Sequence, residues 1–256
     1  MSRPLTRQQR LVSLAEYVLE AGAIPMRELA QRFEISRMTV YRDVAELERA
    51  GVVYLRQGEA VAGASSFTET TNAFRSTLNQ DDKVAACEVV CRMLRPGSTI
   101  MLDDSSTALA LVPMLGDLAP LTVITHSQAA ANAVAANPQL RLFVTGGRYR
   151  PSFESFLGEA TLSALRQVSA DVCVMSVTAI SQGVAYHPME ENVAVKRTMM
   201  RQADRSILVV DGSKFGHRAT HRLADLAEFD HVVISGEVPQ GERDILAAPN
   251  VTVVPG

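Results

Sequence analysis

The chain has 256 residues, 47% of them apolar, which is enough to bury the core of one large domain or of two ordinary ones. No apolar run reaches the roughly 18 residues that a membrane-spanning helix needs, and the first ten residues, MSRPLTRQQR, lack an apolar signal core, so we expect a cytoplasmic protein without membrane contact. The net charge of −3 divides unevenly, because residues 1–57 carry nine arginines and seven acidic residues (+2) and the remainder carries 16 basic and 21 acidic residues (−5). This division permits nucleic-acid binding by the first part of the chain but does not by itself indicate it.

Apolar residues recur at helical spacing in three successive segments near the start of the chain. The first segment carries an apolar stripe from Leu11 to Val18 and ends near Gly22. The second begins at Met26 and turns at Ile35, and the third follows Ser36, a residue well suited to cap a helix N-terminus. The spacing therefore predicts three packed helices, with a tight turn between the second and third.

The third predicted helix is the element that this module presents to a partner. Val40, Val44 and Leu47 are spaced i, i+4, i+7 and predict its buried face. Its other face is polar and basic, which suits the major groove of double-stranded DNA. Val52–Leu55 predicts a strand of a wing, and Arg56-Gln57-Gly58 predicts the turn after it, which could contact phosphate. The alternative is a three-helix interaction module with a charged surface. The residues expected to contact DNA are Ser36, Arg37, Met38, Thr39, Tyr41, Arg42 and Arg56.

Residues 59–80 differ in composition from the segments on either side. Small and hydroxylated residues dominate, and the apolar period weakens, as expected of a linker. We therefore expect a winged helix-turn-helix domain over residues 1–58, a linker over 59–80 and a second domain over 81–256.

From Asp81 onward, helical segments alternate with short apolar runs, and Pro96-Gly97 ends the first of these helices. Such alternation predicts an α/β domain with a mainly parallel sheet covered by helices on both faces. The predicted strands are Thr99–Leu102, Leu121–Ile124, Leu140–Val144, Val172–Val177, Ile207–Val210, Val232–Ile234 and Val251–Val254. The predicted helices are Thr107–Leu115, Gln128–Ala136, Leu157–Gln167 and Glu191–Gln202.

Cysteine and histidine patterns do not predict a metal site. Cys87 and Cys91 lie one helical turn apart without a third and fourth ligand nearby, so buried thiols are expected. His217 and His221 have i, i+4 spacing in a Gly-rich context that does not favour a metal pair. We expect neither a metal nor a cofactor.

Polar residues follow four of the predicted strands, where a parallel sheet binds its ligands. Hydroxyls and backbone N–H groups at helix starts form anion sites, and paired glycines let the backbone approach a ligand closely. Each signal alone also fits a helix cap, a tight turn or a structural histidine, but together they could hold a small, hydroxyl-rich, phosphorylated ligand. The residues expected to contact it are Asp103, Ser105, Ser106, Thr107, His126, Ser127, Gly146, Gly147, Lys196, Asp211, Ser213 and Lys214.

The order of these segments resembles the DeoR family of bacterial transcription regulators over nearly the whole chain. In that family the recognition helix reads as Ser, two variable residues, then Thr-Ile-Arg-Arg-Asp-Leu. Ser36, Thr39, Arg42 and Asp43 match this pattern, and Tyr41 replaces the first arginine. The replacement implies that the operator sequence or affinity differs from the usual one.

Five ligand-loop motifs of that family also have counterparts here. The family's Asp-x-Gly-Thr-Thr or Asp-x-Gly-Ser-Thr loop stands as Asp103-Asp104-Ser105-Ser106-Thr107, with serine in the glycine position, and its Thr-Asn-Ser stands as Thr125-His126-Ser127. Both departures imply a site tuned to an uncommon ligand, or weakened. The remaining counterparts are Gly146-Gly147, Val195-Lys196-Arg197 and the segment from Asp211 to Gly216, which is the most specific of the five.

The resemblance implies a winged helix-turn-helix domain joined to a sensor domain similar to phosphosugar isomerases. It implies a sequence-specific regulator, expected to be a repressor, of carbohydrate or nucleoside catabolism genes, controlled by a phosphorylated sugar. Two or more copies of such a chain, a dimer or a tetramer, are expected to bind a double-stranded DNA operator. The alternative is an aldose–ketose isomerase of phosphosugars with Asp103 or Asp211 as the base, and we expect no enzymatic activity.

Overall fold

A computed structural model of the chain describes residues 7–49, 51–62 and 72–254. The chain divides into two compact units, Met1–Leu78 and Asn79–Gly256. In the described ranges, no helix combines the length and the apolar character that crossing a membrane would require.

The α-helices and strands of the N-terminal unit are α1 (Arg7–Ala21), β1 (Ala23–Pro25), α2 (Met26–Arg32), α3 (Arg37–Arg49), β2 (Val53–Arg56), β3 (Glu59–Ala62) and α4 (Asn72–Arg75). The predicted apolar faces of the three helices meet in one core, in which Leu14, Leu29 and Val44 are fully buried. Since α2 and α3 are separated by a short turn and a small sheet follows them, the predicted winged helix-turn-helix is confirmed.

The wing extends beyond its predicted end. Strands β2 and β3 are joined by the two-residue turn Gln57-Gly58, both with positive φ, and β3 also pairs with β1. The module therefore reaches Ala62 instead of Gly58, and α4 also lies within the predicted linker, of which residues 63–71 are outside the described ranges. The sequence Glu-Ala-Val-Ala of β3 was hard to predict as a strand because alanine and glutamate have low strand preference. Arg56 lies on β2, not in the turn.

The second unit contains a parallel sheet of seven strands in the order β15-β14-β12-β9-β4-β5-β6, which confirms the predicted mainly parallel α/β fold. The strands are β4 (Thr99–Leu102), β5 (Leu121–Thr125), β6 (Leu140–Val144), β9 (Ala170–Met175), β12 (Ala203–Asp211), β14 (His231–Ser235) and β15 (Val251–Val253). Its helices are α5 (Gln80–Met93), α6 (Ser106–Leu111), α7 (Gln128–Ala135), α8 (Glu159–Leu165) and α9 (Glu190–Arg201), with 3-10 helices at Val112–Leu118, Gly212–Lys214, Leu226–Glu228 and Gln240–Ala247.

Successive side chains of the central strand, β4, pack into apolar cores on opposite faces of the sheet. Met101 packs in one apolar cluster, whereas Ile100 and Leu102 pack in the other. A strand buried on both faces reads as a continuous apolar run, which is why the sequence predicted β4 so closely.

The order in which successive strands join the sheet reverses at β4. It first adds β5 and β6 on one side of β4, and then β9, β12, β14 and β15 on the other. The loops after β4 and β9 therefore diverge, and open α/β sheets with this strand order bind ligands in a crevice between the carboxyl ends of two such strands.

Two antiparallel additions were not predicted. One is the hairpin of β7 (Arg148–Arg150) and β8 (Ser155–Leu157), and the other is a three-stranded sheet of β10 (Ala179–Ser181), β11 (Val184–His187) and β13 (His221–Asp225). The predicted helix at Leu157–Gln167 is correspondingly shorter, because Leu157 belongs to β8 and α8 begins only after Gly158, which has a φ of 96°.

Candidate functional site

A buried carboxylate lies at the crevice between β4 and β9. Asp103, the first residue after β4, is fully buried, and its Oδ1 accepts hydrogen bonds from the backbone N–H of Ser105 (3.0 Å) and from the Ser105 hydroxyl (2.5 Å). Its Oδ2 accepts from the backbone N–H of Ser176, directly after β9 (3.0 Å), and from the Lys196 ammonium of α9. The strand reversal therefore brings Asp103 and Lys196 together as predicted, in a pair almost closed to solvent.

A second carboxylate continues this cluster. Asp104 Oδ2 accepts a hydrogen bond from the Asn192 amide (2.8 Å), and its Oδ1 lies 3.6 Å from the Lys196 ammonium and 3.5 Å from His126 Nε2. Asn192 and Lys196 are one helical turn apart on α9, so both side chains face the crevice. Asp104 and Asn192 were not among the predicted ligand contacts.

In the described part of the second unit, several buried polar atoms lack a hydrogen-bond partner, and those of His126 and Asn192 belong to side chains that contact Asp104. Within the described residues, neither ring nitrogen of His126, nor Asn192 Oδ1, nor the Ser155 hydroxyl makes a hydrogen bond, and each of these side chains is almost fully buried. Folded proteins leave few buried polar groups unsatisfied. A polar ligand in the crevice would supply the missing partners.

A second charged group lies at the end of β12. Asp211 Oδ1 accepts hydrogen bonds from the Asn79 amide (3.0 Å), the backbone N–H of Ser213 (3.0 Å) and the Ser213 hydroxyl. Burial opposes ionisation of Asp211, but the Lys214 charge, the Ser213 hydrogen bonds and the Lys83 charge outweigh it, so the pKa of Asp211 is lowered. Asp211 Oδ2 makes no hydrogen bond within the described part of the chain.

Lys83 lies between the cluster around Asp103 and the cluster around Asp211. It lies in the first turn of α5, is almost fully buried, and donates a hydrogen bond to the Ser106 hydroxyl (3.0 Å) while acting electrostatically on Asp211. Sequence reasoning missed Lys83, although a signal was present: the chain contains three lysines among its 25 basic residues, and the other two are Lys196 and Lys214. All three lysines lie at the carboxyl edge of the sheet.

Several predicted ligand contacts also have structural roles. Ser105 and Ser127 cap α6 and α7 by accepting hydrogen bonds from Ala108 N–H and Ala130 N–H (3.0 and 3.2 Å). Thr107 is buried, and its backbone carbonyl accepts a hydrogen bond from Cys87 Sγ (3.3 Å).

The glycine pair has a packing role that sequence reasoning did not identify. A Cβ on Gly147, whose φ is 126°, would overlap the Thr161 hydroxyl, which donates a hydrogen bond to the Gly146 carbonyl (2.7 Å). Gly146 has a φ of 65° and open space at its Cβ position. Close approach of Thr161, rather than of a ligand, therefore explains the requirement for glycine at Gly147.

Of the two cysteines expected to be buried, Cys87 is buried and Cys91 is only partly buried. Cys87 is buried, and burial, with a smaller contribution from Cys91, raises the pKa of its thiol to about 12. In the described ranges, no group of three or more histidine, cysteine or acidic side chains could hold a metal ion.

The N-terminal unit presents the predicted DNA-contacting face on α3. Ser36 accepts a hydrogen bond from the backbone N–H of Thr39 (3.2 Å) and so caps the helix. Val40, Val44 and Leu47 are fully buried, and Arg37 and Arg42 are exposed on the other side. Asp43, by contrast, is buried and pairs with Arg10 (2.8 Å), so it holds α3 against α1.

Two large apolar side chains stand out on the exposed face of α3. Met38 is 84% exposed and Tyr41 is 46% exposed. Arg56 is also exposed, on the wing strand β2. In the major groove, the methyl group of thymine is an apolar surface that such side chains can contact.

Comparison with known proteins identifies both units. The DeoR C terminal sensor domain family matches residues 78–236, and an HTH domain family matches residues 7–60. The chain belongs to the DeoR family. It is a transcription regulator with an N-terminal DNA-binding domain and a C-terminal sensor domain, as the sequence motifs implied.

Regulators of similar length match the chain from end to end. It is 29% identical over 251 residues to the uncharacterized HTH-type transcriptional regulator YgbI of Escherichia coli (strain K12), covering 98% of this chain and 97% of that protein. It is 26% identical over 243 residues to the glycerol-3-phosphate regulon repressor of the same strain, covering 94% and 96%. Ribose 5-phosphate isomerase A from Methanocaldococcus jannaschii superposes with a TM-score of 0.40 at 16% identity, over 54% of this chain and 55% of that chain, an overlap too weak to bear on activity.

Proposed function

We propose that this DeoR-family regulator is a repressor whose affinity for operator DNA is controlled by a phosphorylated sugar, and that the sugar binds where the carboxyl ends of β4, β5, β9 and β12 meet. The relative named as the glycerol-3-phosphate regulon repressor supports the regulatory sign, and the regulon in its name concerns a phosphorylated compound. The genes it controls would then belong to carbohydrate or nucleoside catabolism.

The observation that carries the proposal is the cluster of charged and unsatisfied groups at this edge. Lys83, Lys196 and Lys214 supply positive charge for a phosphate, and the open hydrogen-bonding positions of His126 and Asn192 supply donors and acceptors for sugar hydroxyls. The remaining proposed contacts are Asp103, Ser105, Ser106, Thr107, Ser127, Gly146, Gly147, Asp211 and Ser213.

On the DNA side, α3 is proposed to enter the major groove. Arg37 and Arg42 are the proposed base or phosphate contacts, and Arg56 of the wing is the proposed second phosphate contact. The other proposed contacts on this surface are Ser36, Met38, Thr39 and Tyr41. The regulator would act in the bacterial cytoplasm as a homo-oligomer, because paired modules read half-sites about one helical turn apart.

The sugar can control DNA binding only by binding the free and the DNA-bound arrangements with different affinities. Three hydrogen bonds of the charged cluster connect α5 and α9 to the loops after β4 and β12. Lys83 donates to Ser106 and Lys196 donates to Asp103. Asn79, directly before α5, donates to Asp211. A ligand that replaces or tightens these contacts would shift the start of α5, which follows the DNA-binding unit directly in the chain.

A thermal-shift screen of phosphorylated sugars on the full chain tests the ligand class. A ligand at 100 times its dissociation constant stabilises the folded state by about 2.7 kcal/mol, which raises the midpoint of a domain of this size by roughly 5 to 10 °C. We expect a shift with a phosphosugar and none with the same sugar lacking phosphate. Lys214→Ala should reduce the shift and spare DNA binding, whereas Arg166→Ala, at an exposed ion pair with Glu159, should change neither.

Amine labelling provides a second, independent measurement. Because the chain has three lysines, an amine-reactive probe has few targets besides the N-terminus, and mass spectrometry can follow each. Lys214 is half-buried and should lose reactivity when the phosphosugar binds. The ligand would bind elsewhere if it raised the unfolding midpoint of wild type and of Lys214→Ala equally and left the reactivity of Lys214 unchanged.

A gel-shift titration on the chain's own upstream region tests the DNA contacts. Arg42→Ala should weaken specific binding by about 1 to 3 kcal/mol if Arg42 makes a bidentate base contact. Arg95→Ala, an exposed arginine of the sensor domain, is the matched control. Equal affinities of Arg42→Ala and Arg95→Ala at moderate salt would contradict the assignment of α3 as the recognition helix.

The isomerase alternative needs a carboxylate base able to accept a proton near neutral pH. Both carboxylate oxygens of Asp103 already accept hydrogen bonds, from two backbone N–H groups, a hydroxyl and an ammonium. Asp211 is a weaker base than an ordinary aspartate because its own pKa is lowered. We therefore propose that the site senses its ligand without turning it over. Turnover of ribose 5-phosphate that is abolished by Asp211→Ala would show the opposite.

A further inference from the structure

The last strand on one side of the seven-stranded sheet has partly exposed apolar side chains and an open backbone edge. Among the described strands, β6 pairs with β5 alone, so its other edge is open. Leu142, Phe143 and Val144 are 36%, 42% and 38% exposed. Because consecutive residues of a strand point to opposite faces, both faces of β6 keep apolar surface exposed at these residues, even though α7 packs against the strand.

Such an edge is unusual in a protein that works as a single copy. Proteins protect sheet edges with lysine, proline, bulges or a covering segment, and β6 (Leu-Arg-Leu-Phe-Val) contains neither lysine nor proline and pairs with β5 without a register shift. Tyr149, on β7, is a further exposed apolar side chain (43%) shortly after the strand. At the opposite edge of the sheet, β15 has three residues, of which only Val253 is classed as exposed. Contiguous exposed apolar residues of this kind mark an interaction surface.

The backbone of β6 defines what can pair with it. The N–H of Thr145 donates to the Thr125 carbonyl of β5 (3.1 Å), so Thr145 directs its backbone groups inward. The direction alternates along a strand. Phe143 therefore also directs its backbone groups toward β5, and Leu142 and Val144 present their N–H and C=O groups at the outer edge.

We propose that β6 pairs antiparallel with β6 of a second copy of this chain, about a twofold axis at Phe143. In this register Leu142 of each copy lies opposite Val144 of the other. The outward N–H groups of Leu142 and Val144 in both copies, four in all, therefore donate to carbonyl groups across the interface. Phe143 lies opposite its own copy on one face of the joined sheet. The proposal deepens the proposed function, because it places the contact between the paired regulators.

Charge and symmetry favour a second copy as the occupant. The strand is self-complementary, as a twofold interface requires. Arg141 is the only charged residue of β6, and the register places the two copies of Arg141 about 13 Å apart along the strands, which is beyond the screening length at physiological salt. The Arg141 side chain instead lies diagonal to Phe143 of the second copy, within reach of the ring.

Charge reversal at the twofold axis tests the pairing in the full chain. Phe143→Glu places two carboxylates directly opposite each other, and we expect the dimer dissociation constant, measured by analytical ultracentrifugation, to rise on the order of 100-fold. Val253→Glu makes the same change at an exposed valine of the opposite edge and should leave the mass unchanged. An equimolar mixture of Phe143→Glu and Phe143→Lys should recover the dimer mass, since opposite charges then face each other, whereas a misfolded variant would not be rescued.

A disulfide provides a second test that does not depend on charge. Residues in a non-hydrogen-bonded antiparallel pair have Cα atoms about 4.5 Å apart, within the range of disulfide geometry. Phe143→Cys should therefore form a covalent dimer on oxidation, whereas Val253→Cys should not. Wild type is the control for the three native cysteines, two of which are buried.

Three results would overturn the proposal: a monomeric wild type, an unchanged mass of Phe143→Glu, or a covalent dimer of Val253→Cys without one of Phe143→Cys. Loss of the dimer in Phe143→Glu without recovery in the mixture, together with no covalent dimer of Phe143→Cys, would also reject self-pairing, and would leave a different partner protein as the occupant of β6. Gel shifts and the phosphosugar screen on wild type report on the proposed function separately. A wild-type dimer that crosslinks at Phe143→Cys but binds neither DNA nor sugar would retain the interface and reject the function.

Discussion

Replacing Lys196 by methionine removes the cation from the most buried charged cluster of the sensor domain. Lys196 is 2% exposed, and its partners Asp103 and Asp104 are 0% and 1% exposed. Methionine keeps the length of the aliphatic chain, so the change leaves two carboxylates close together with little access to water.

The expected loss follows from that burial. Removing one partner of a buried ion pair costs about 3 to 5 kcal/mol, because the remaining charge is left uncompensated. A domain of this size is stable by about 5 to 15 kcal/mol, so Lys196→Met should lose a large fraction of the total. The corresponding fall in the unfolding midpoint is roughly 6 to 20 °C.

Urea unfolding of the full chain, followed by far-UV circular dichroism because the chain has no tryptophan, measures this loss. Arg166→Met is the matched control, since its ion pair with Glu159 is exposed and should be worth less than about 1 kcal/mol. Adding Asp103→Asn to Lys196→Met should restore at least about 1 kcal/mol, because it removes one of the uncompensated charges.

Two results would refute the reasoning. If Lys196→Met cost no more than Arg166→Met, the pair would have to be accessible to water in solution. If Asp103→Asn added its own loss in full, the two side chains would not be coupled.

Three further predictions concern single positions. Gly147→Ala should destabilise the sensor domain by about 2 to 4 kcal/mol because its Cβ overlaps the Thr161 hydroxyl, whereas Gly146→Ala should cost only about 1 kcal/mol in the same urea titration; equal losses would exclude the overlap as the cause. The pKa of Asp211 is lowered in the folded state, so its contribution to stability is present above its unfolded pKa and is lost as pH falls through its folded pKa. Asp211→Asn should therefore flatten the loss of stability below about pH 4. A pH profile identical to that of wild type would contradict this. Tyr41→Arg restores the arginine that the family's motif carries, and should steepen the dependence of DNA affinity on salt by about one unit of the log–log slope if it reaches a phosphate; an unchanged slope would place residue 41 away from the backbone.

The sequence predicted the strands of the parallel sheet closely and the short antiparallel strands of the second unit not at all. Strand β4 has the predicted bounds because a buried parallel strand is a continuous apolar run between turn residues. Strand β6 also has the predicted bounds, although four of its five residues are exposed. Strands β7 and β8 have three residues each, too few for any period to be recognised. Alanine-rich β3 was assigned to the linker because its strand character comes from pairing with β1 and β2 rather than from its own composition.

The candidate ligand site was predicted in part. Lys196 and Lys214 were among the predicted ligand contacts, and the structure places the Lys196 ammonium on Asp103. Asn192 was missed, although it precedes Lys196 by one helical turn. Lys83 was missed because it lies on the first helix of the domain, far in sequence from the strand ends, and only the packing of α5 against the sheet brings it to Ser106.

By itself, the sequence determined the two-unit organisation, the helix-turn-helix and the parallel α/β sheet, because apolar periodicity, helix caps and turn residues are local properties of the chain. The tertiary structure decided which polar residues meet. The reversal of strand order at β4 sets Asp103 beside Ser176, and α9 then places Lys196 on that carboxylate, although these residues are separated by more than 70 positions in sequence. It also decided that β6, which reads like any buried strand, lies at an open edge, because strand order depends on connections across the whole domain and not on the strand's own residues.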